Sequence, residues 1–179
     1  MGGVVGAQVA MQHPARVEKL ITIGGVGPNI FSQAPSEGTR LLRDFADDPS
    51  REKLVRWLDC MVYDPALVTD ERVDERWEAA MAPSSHETLA AMYGSAAVAA
   101  QQRALEASEA PPYWSMMRKI QCPTLFTWAL DDRQCRRICP RSATACAACR
   151  IARLPNCGHW VMVEAEEAFE RVALEFLSA

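Results

Sequence analysis

The sequence has no apolar run long enough to cross a membrane and no cluster of lysine and arginine. Its first residues are mostly apolar, but no basic region precedes them, and Gln12, His13 and Arg16 interrupt the apolar run. We therefore expect neither a signal peptide nor a membrane-spanning helix, and a cytoplasmic location. The net charge is −4, and without a basic stripe neither nucleic acid nor a membrane surface is an expected partner.

A disulfide framework is not indicated, because the seven cysteines are odd in number and no secretion signal is visible. Five of them crowd the C-terminal part of the chain: Cys135, Cys139, Cys146, Cys149 and Cys157. The first four offer a set of zinc ligands, but the two pairs lie closer together in sequence than those of a usual zinc ribbon. We therefore expect no bound metal, and nothing in the sequence indicates a cofactor.

What the sequence does contain is a succession of helical and strand-like segments, in a chain that is 49% hydrophobic and 23% charged. Residues 1–13 are small and glycine-rich, which favours a helix packed closely against a sheet. An apolar run at 20–23 indicates a buried parallel strand, the β-prone run at 124–128 indicates another strand, and a weaker strand is predicted near 151–154. An amphipathic helix is predicted from about Ala165, because apolar residues recur at helical spacing after it.

The segment from 31 to 118 has a different character, because its apolar residues recur at helical spacing among charged ones. We predict an all-helical insertion with capping residues before three of its helices: Asp48 followed by Pro49, Thr69 or Asp70, and Ser84 or Ser85. The predicted fold class is α/β, with a helical cap over the C-terminal edge of a parallel sheet. The core is expected at 1–30 and 119–179 and the cap at 31–118, while 134–150 has neither a helical nor a strand period.

Two polar side chains come after consecutive predicted strands, at the edge where the carboxyl ends of a parallel sheet meet. Asp132 stands in the loop after the second strand, and His159, beside a glycine, comes after the third. The other histidines, His13 and His86, stand before a helix-ending proline and within a predicted helix. In serine hydrolases built on such a sheet, the orienting acid precedes the basic histidine in this order. The other interpretations are a structural histidine and plain turn residues at Asp131 and Asp132.

Several short motifs give the chain a specific resemblance. They are Met1-Gly2-Gly3, Gly24 through Phe31, Met61 through Asp64, Glu75-Arg76-Trp77, Trp128 with Leu130 through Arg133, and Asn156 through Trp160. With these motifs the chain resembles the meta-cleavage product hydrolases, carbon–carbon bond hydrolases of the α/β-hydrolase superfamily that act on ring-opened aromatic compounds. The resemblance implies a partial α/β-hydrolase sheet made of the C-terminal strands, because the serine of the family's Gly-x-Ser-x-Gly turn would lie one residue before Met1.

The resemblance also implies roles for particular residues. Asp132 and His159 would be the acid and the base, and the backbone amide of Met1 would donate a hydrogen bond to the oxyanion. Arg76 would bind the carboxylate of a small acidic substrate, a 2-hydroxy-6-oxo-dienoate, through two parallel hydrogen bonds. A solvated helix charge beside acidic neighbours is the other interpretation of Arg76. The substrate pocket would be lined by Trp160, Trp114 and Met61.

The sequence departs from the family pattern as well. No Gly-x-Ser-x-Gly occurs in it, since Ser95 has a glycine on one side only, and Ala129 stands where the family usually has glycine. We therefore expect a chain that is N-terminally incomplete, inactive as given, and active if the upstream residues exist. The alternatives are an esterase-like hydrolase, against which Arg76 argues, and a non-catalytic remnant. A sheet without its first strands would expose an edge, which favours association of copies of the chain.

Overall fold

A parallel sheet forms the centre of the protein. The computed structural model describes residues 2–25, 35–109, 113–134 and 148–179, with the backbone alone for 113 and 114. Within these ranges one parallel sheet is formed, in this order, by β1 (Leu20–Ile23), β2 (Thr124–Ala129) and β3 (Cys149–Leu154). Thr124 is in register with the first residue of each neighbouring strand, so the three strands start together. The predicted α/β sheet and its strands are confirmed.

The helix α1 (Gly2–Gln12) packs against this sheet. Ala7 and Ala10 are fully buried in a cluster with Leu20 and Phe126, because small side chains let the backbones of a helix and a sheet approach closely. The central strand β2 is buried at all six positions, as is usual for a parallel strand with a neighbour on each edge. The predicted first helix is therefore confirmed over its described residues.

The part of the segment between β1 and β2 that the structure describes consists of helices joined by short loops, as predicted. Its longer helices are α2 (Glu37–Asp47), α3 (Arg51–Met61), α4 (Asp70–Met81), α5 (Ser85–Tyr93) and α6 (Ser95–Glu106). The short α7 (Tyr113–Met116) then leads back to the sheet, where Met117 joins the cluster around α1. The division into a cap at 31–118 and a core on either side stays a prediction, and its first boundary falls among residues outside the described ranges.

Side-chain hydroxyls begin three of these helices. Ser36, Ser50 and Thr69 each accept a hydrogen bond from the backbone N–H three residues further along, which satisfies one of the donors left free at a helix start. Of the predicted caps Thr69 or Asp70, Thr69 is the one that forms. Ser84 precedes α5 without a capping hydrogen bond, so that predicted side-chain cap is not formed.

The prediction that Asp48 caps the second of these helices is wrong. Asp48 ends α2, and Ser50 caps α3 instead. The hydroxyl of Ser50 accepts from the backbone N–H of Lys53, while the carboxylate of Asp48 lies 2.8 Å from the Lys53 ammonium. In the sequence, Asp48 before Pro49 looks like a helix cap, but in the structure its carboxylate pairs with the side chain of Lys53.

The helical segment has an apolar cluster of its own, which reaches the sheet. Its buried members are Phe45, Leu54, Leu58 and Val73. Trp57 stacks on Phe45 with ring centroids 6.5 Å apart. Trp160, from the loop after β3, packs against the same cluster. This contact joins the helical segment to the loop that carries His159.

Two helices complete the chain, α8 (Val161–Glu164) and α9 (Glu166–Ser178). The predicted helix after Ala165 is confirmed, with Phe176 buried. The ammonium of Lys19 donates to the carbonyls of Phe176 and Leu177 at 3.1 and 2.7 Å, a favourable position for a cation at a helix end. Across the described ranges, every helix falls short of the length and apolarity needed to span a membrane.

Replacing Ser50 by alanine is expected to lower the free energy of unfolding by about 1 kcal/mol, because the N–H of Lys53 loses its capping partner. Urea unfolding followed by circular dichroism measures the change. The matched control is Ser84→Ala, since Ser84 precedes α5 without making a capping hydrogen bond, and its effect should be clearly smaller. Equal effects of the two substitutions would contradict the assignment of Ser50 as the cap.

Candidate active site

The structure brings Asp132 and His159 into contact. Asp132 comes after β2 and His159 after β3, and because these strands are parallel neighbours, the loops after them lie side by side. Oδ2 of Asp132 is 2.9 Å from Nδ1 of His159, and the two side chains are 1% and 26% exposed. Backbone hydrogen bonds also join the loops. Leu130 N–H donates to the carbonyl of Leu154 at 2.9 Å, and Asp131 N–H donates to the carbonyl of Cys157 at 3.2 Å.

This geometry prepares the imidazole for proton transfer. A carboxylate that accepts from Nδ1–H holds a neutral imidazole in the tautomer whose lone pair is at Nε2. The same carboxylate stabilises the imidazolium that forms when Nε2 takes a proton. The pair can therefore activate a hydroxyl placed near Nε2 as a nucleophile.

The backbone of the histidine loop is fixed against the end of α3. His159 N–H donates to the carbonyl of Met61 at 2.7 Å. A Cβ atom on Gly158 would lie 2.7 Å from the carbonyl oxygen of Met61 and from the nitrogen of Tyr63. Since backbone atoms cannot move aside easily, only glycine allows this close approach.

A glycine at the end of β1 makes room for the imidazole. Gly24 has φ +70°, and a Cβ built on it would stand 2.7 Å from Cε1 of His159 and 3.7 Å from Oδ2 of Asp132. The sequence offered a signal here, the Gly24-Gly25 pair after a buried strand, but sequence reasoning gave Gly24 no role at the site. The structure makes it the backbone surface on which the His159 ring rests.

Arg133 anchors the loop of the acid to the helical segment. Its guanidinium donates to both carboxylate oxygens of Glu37, at 3.1 and 2.7 Å, and to the carbonyl of Asp59 at 3.2 Å. Two parallel hydrogen bonds of this kind fix direction as well as distance. Sequence reasoning counted Arg133 in a motif but did not foresee this partner, because Glu37 is distant in sequence.

Arg76 lies beside the histidine loop, and its predicted role in substrate binding stays a prediction. Its guanidinium carbon is 5.6 Å from the centre of the Trp160 ring, and that of Arg72 is 5.5 Å from it. Arg72 also donates to the carbonyl of Leu67 at 2.8 Å. Two cations therefore face the aromatic ring next to His159 in the chain, an arrangement in which the ring attracts both.

The other predicted site residues are only partly described by the structure. Met61 is buried, and its carbonyl rather than its side chain makes the contact with His159 described above. Met1 lies outside the described residues, and so does the side chain of Trp114, so their predicted roles stay predictions. A surface cleft of about 290 Å³ beside the acid is lined by Val62, Tyr63 and Leu130 through Arg133; it does not unite the predicted binding residues.

The cysteine cluster is mostly outside the described residues, which include Cys149 and Cys157. Cys149 is disulfide-bonded, although the sequence indicated no disulfide framework, and this removes one of the four thiolates that a zinc site would need. Elsewhere in the described ranges no group of metal-binding side chains comes together.

The sequence profile of the alpha/beta hydrolase family matches residues 1–173. The chain belongs to the alpha/beta hydrolase family. Its curated relatives include the 2-hydroxy-6-oxo-6-phenylhexa-2,4-dienoate hydrolase of Burkholderia cepacia, which is 31% identical over 99% of this chain and 60% of its own length.

Two solved structures share the fold of this alpha/beta hydrolase. The 2-hydroxy-6-oxo-6-phenylhexa-2,4-dienoate hydrolase of a Rhodococcus strain superposes with a TM-score of 0.81 at 22% identity, covering 100% of this chain and 62% of that one. A meta-cleavage product hydrolase of Pseudomonas fluorescens gives 0.78 at 23% identity, covering 98% and 61%. The predicted resemblance is confirmed, and the chain spans about 60% of the length of the curated relatives it matches.

Replacing Gly24 by alanine is expected to displace the His159 ring, because the new methyl group would overlap Cε1. The unfavourable φ should also lower the free energy of unfolding by about 1–2 kcal/mol. NMR of the Nδ1 proton of His159 and urea unfolding measure the two effects. Gly2→Ala is the control, since a Cβ there meets nothing within 4 Å. Retention of both the proton signal and full stability in Gly24→Ala would contradict the packing described.

The thiol of Cys157 is expected to resist alkylation below strongly alkaline pH. Burial raises its pKa from 9.0 to about 12, with the charges of Glu164, Asp132 and Asp131 adding to the effect. Since thiolate is the reactive form, iodoacetamide at pH 8.5 should modify Cys157 only after denaturation, as measured by peptide mass spectrometry. The same shift should reduce stability as pH rises from 9 towards 12, where the unfolded thiol ionises first. Modification of the native protein at the rate of an exposed cysteine would refute this.

Proposed function

We propose that this chain carries the acid and the base of a serine-dependent hydrolase that cleaves a carbon–carbon bond in ring-opened aromatic compounds of the 2-hydroxy-6-oxo-hexa-2,4-dienoate type. The observation that carries the proposal is the 2.9 Å contact between Nδ1 of His159 and the buried carboxylate of Asp132. The substrate class is suggested by relatives named as hydrolases of such dienoates.

The nucleophile in this proposal is a serine encoded directly upstream of Met1. The backbone amide of Met1 would then supply one hydrogen bond to the oxyanion. The position of α1 supports this arrangement. The helix ends shortly before β1 starts, and Ala7 and Ala10 pack against Leu20, the first residue of β1. A helix that runs back along the strand in this way would direct its first residues toward the carboxyl end of β1, where Gly24 meets the His159 ring.

The proposed reaction begins when the dienol form of the substrate becomes the ketone. The upstream serine then attacks the distal carbonyl with the assistance of His159, and the adjacent carbon–carbon bond breaks. With the addition of one water molecule over the whole reaction, the products are a carboxylic acid and a 2-hydroxypenta-2,4-dienoate. Asp132 would orient the imidazole and stabilise its protonated form throughout.

Arg76 would bind the substrate carboxylate. Its guanidinium faces the ring of Trp160, the residue next to His159, so a carboxylate held there would lie close to the base. A planar guanidinium suits a carboxylate because two parallel hydrogen bonds form at once. The apolar remainder of the substrate would contact Trp160, Trp114 and Met61.

The coding sequence upstream of Met1 tests the proposal. An in-frame Gly-x-Ser directly before Met1 is expected, and the chain extended to include it should bleach a yellow 2-hydroxy-6-oxo-dienoate. His159→Ala should abolish this activity, and residues 1–179 alone should stay near background, because loss of a catalytic serine costs about six orders of magnitude in turnover. A stop codon at that position would refute the proposal and leave a non-catalytic remnant.

In the extended enzyme, Arg76→Ala is expected to lower kcat/KM for the acidic dienoate about 10- to 100-fold, the value of a hydrogen-bonded charge, and to affect a neutral nitrophenyl ester little. Steady-state kinetics on both substrates measure the difference. Arg56→Ala, which removes an exposed arginine from α3, is the control. Equal losses on the two substrates would remove the binding role of Arg76, and an enzyme that prefers the ester would favour an esterase.

A further inference from the structure

One carboxylate gathers three backbone N–H groups from two separate segments. Glu164 is the last residue of α8. Its Oε1 accepts from Tyr63 N–H at 2.6 Å and from Asp64 N–H at 3.1 Å. Its Oε2 accepts from Gly158 N–H at 2.7 Å. The side chain thus spans the turn after α3 and the loop that carries the histidine.

These bonds fix the backbone on which the imidazole stands. Gly158 N–H is held by Glu164, and the next N–H, that of His159, is held by the carbonyl of Met61 at 2.7 Å. Two consecutive peptide groups with set partners leave the Cα–Cβ direction of His159 little freedom. The direction of that bond decides whether Nδ1 reaches Asp132.

The carboxylate of Glu164 also provides hydrogen-bond acceptors for three backbone N–H groups that lie close together. The turn after α3 and the Gly158 loop approach so closely that a Cβ on Gly158 would overlap backbone atoms of Met61 and Tyr63. Three N–H groups point into this narrow junction, and an acceptor with two oxygens satisfies all of them. Hydrogen bonds from N–H groups to an ionised carboxylate are about twice as strong as those between neutral groups.

We propose that Glu164 is a positioning residue for His159: by holding Gly158 against Tyr63 and Asp64, it keeps the imidazole in register with Asp132. It acts through the backbone and does not touch the reacting atoms. Its second consequence is that the end of α3 and the histidine loop move as one unit. The catalytic part of this inference rests on the function proposed above, whereas the positioning of the ring does not.

The substitution Glu164→Gln tests the positioning directly on residues 1–179. Glutamine keeps the size of the side chain but offers one acceptor oxygen, so it cannot accept from Gly158 and from Tyr63 and Asp64 together. We expect exchange of the Gly158 amide to become about 10- to 100-fold faster, and the Nδ1 proton of His159, observed by NMR with ¹⁵N-labelled histidine, to be lost. The control is Glu167→Gln, an exposed glutamate in the first turn of α9, which should change neither signal. Retention of both signals in Glu164→Gln would overturn the proposal.

A kinetic test on the extended enzyme separates positioning from general stability. Glu164→Gln should lower kcat about 100-fold with KM nearly unchanged, since displacing a catalytic group by about 1 Å has this effect. A lower Tm with unchanged kcat of the folded enzyme would overturn the role. If Glu164→Gln does not fold, the same NMR signals are measured in Glu164→Asp, whose shorter carboxylate should fail to bridge the two segments; retention of the His159 proton there would overturn the proposal. Inactivity of the unsubstituted extended enzyme would refute the proposed function alone, because the NMR result stands without it.

Discussion

The hydrogen bond between Asp132 and His159 is the constraint on which the candidate site depends. A carboxylate that is 1% exposed is costly to bury unless it is paired, so the fold must deliver a partner to it. The parallel pairing of β2 with β3 does this by ending both strands at the same edge. Gly24 and Gly158 then provide the two places where the absence of a side chain lets the ring and its loop approach the neighbouring backbone.

The helical segment is tied to both loops of the pair by carboxylates. Glu37 at the start of α2 holds Arg133, the residue after the acid, and Glu164 holds the end of α3 against the residue before the base. Trp160 adds an apolar contact with the cluster around Phe45. The helices proposed to bind substrate are therefore fixed relative to the groups proposed to react with it, which is what a preorganised site needs.

The sequence predicted the strands, the helical segment and the positions of Asp132 and His159, because these depend on local periodicity and on the order of loops at one sheet edge. It did not predict Ser50 as a helix cap, since Asp48 and Pro49 form an equally good local pattern. It also missed the roles of Gly24, Glu37 and Glu164. Each of these residues contacts a residue that is distant in the sequence. A single sequence does not show which distant segments come into contact.

The central claim of the proposed function is that this pair serves a serine which attacks a dienoate. A crystal structure of the extended chain, with the upstream serine replaced by alanine and a 2-hydroxy-6-oxo-dienoate bound, tests it most directly. The account predicts the substrate carboxylate at Arg76 and the distal carbonyl on the Nε2 side of His159. A dienoate bound away from both residues, or an imidazole turned so that Nε2 faces away from it, would contradict the claim.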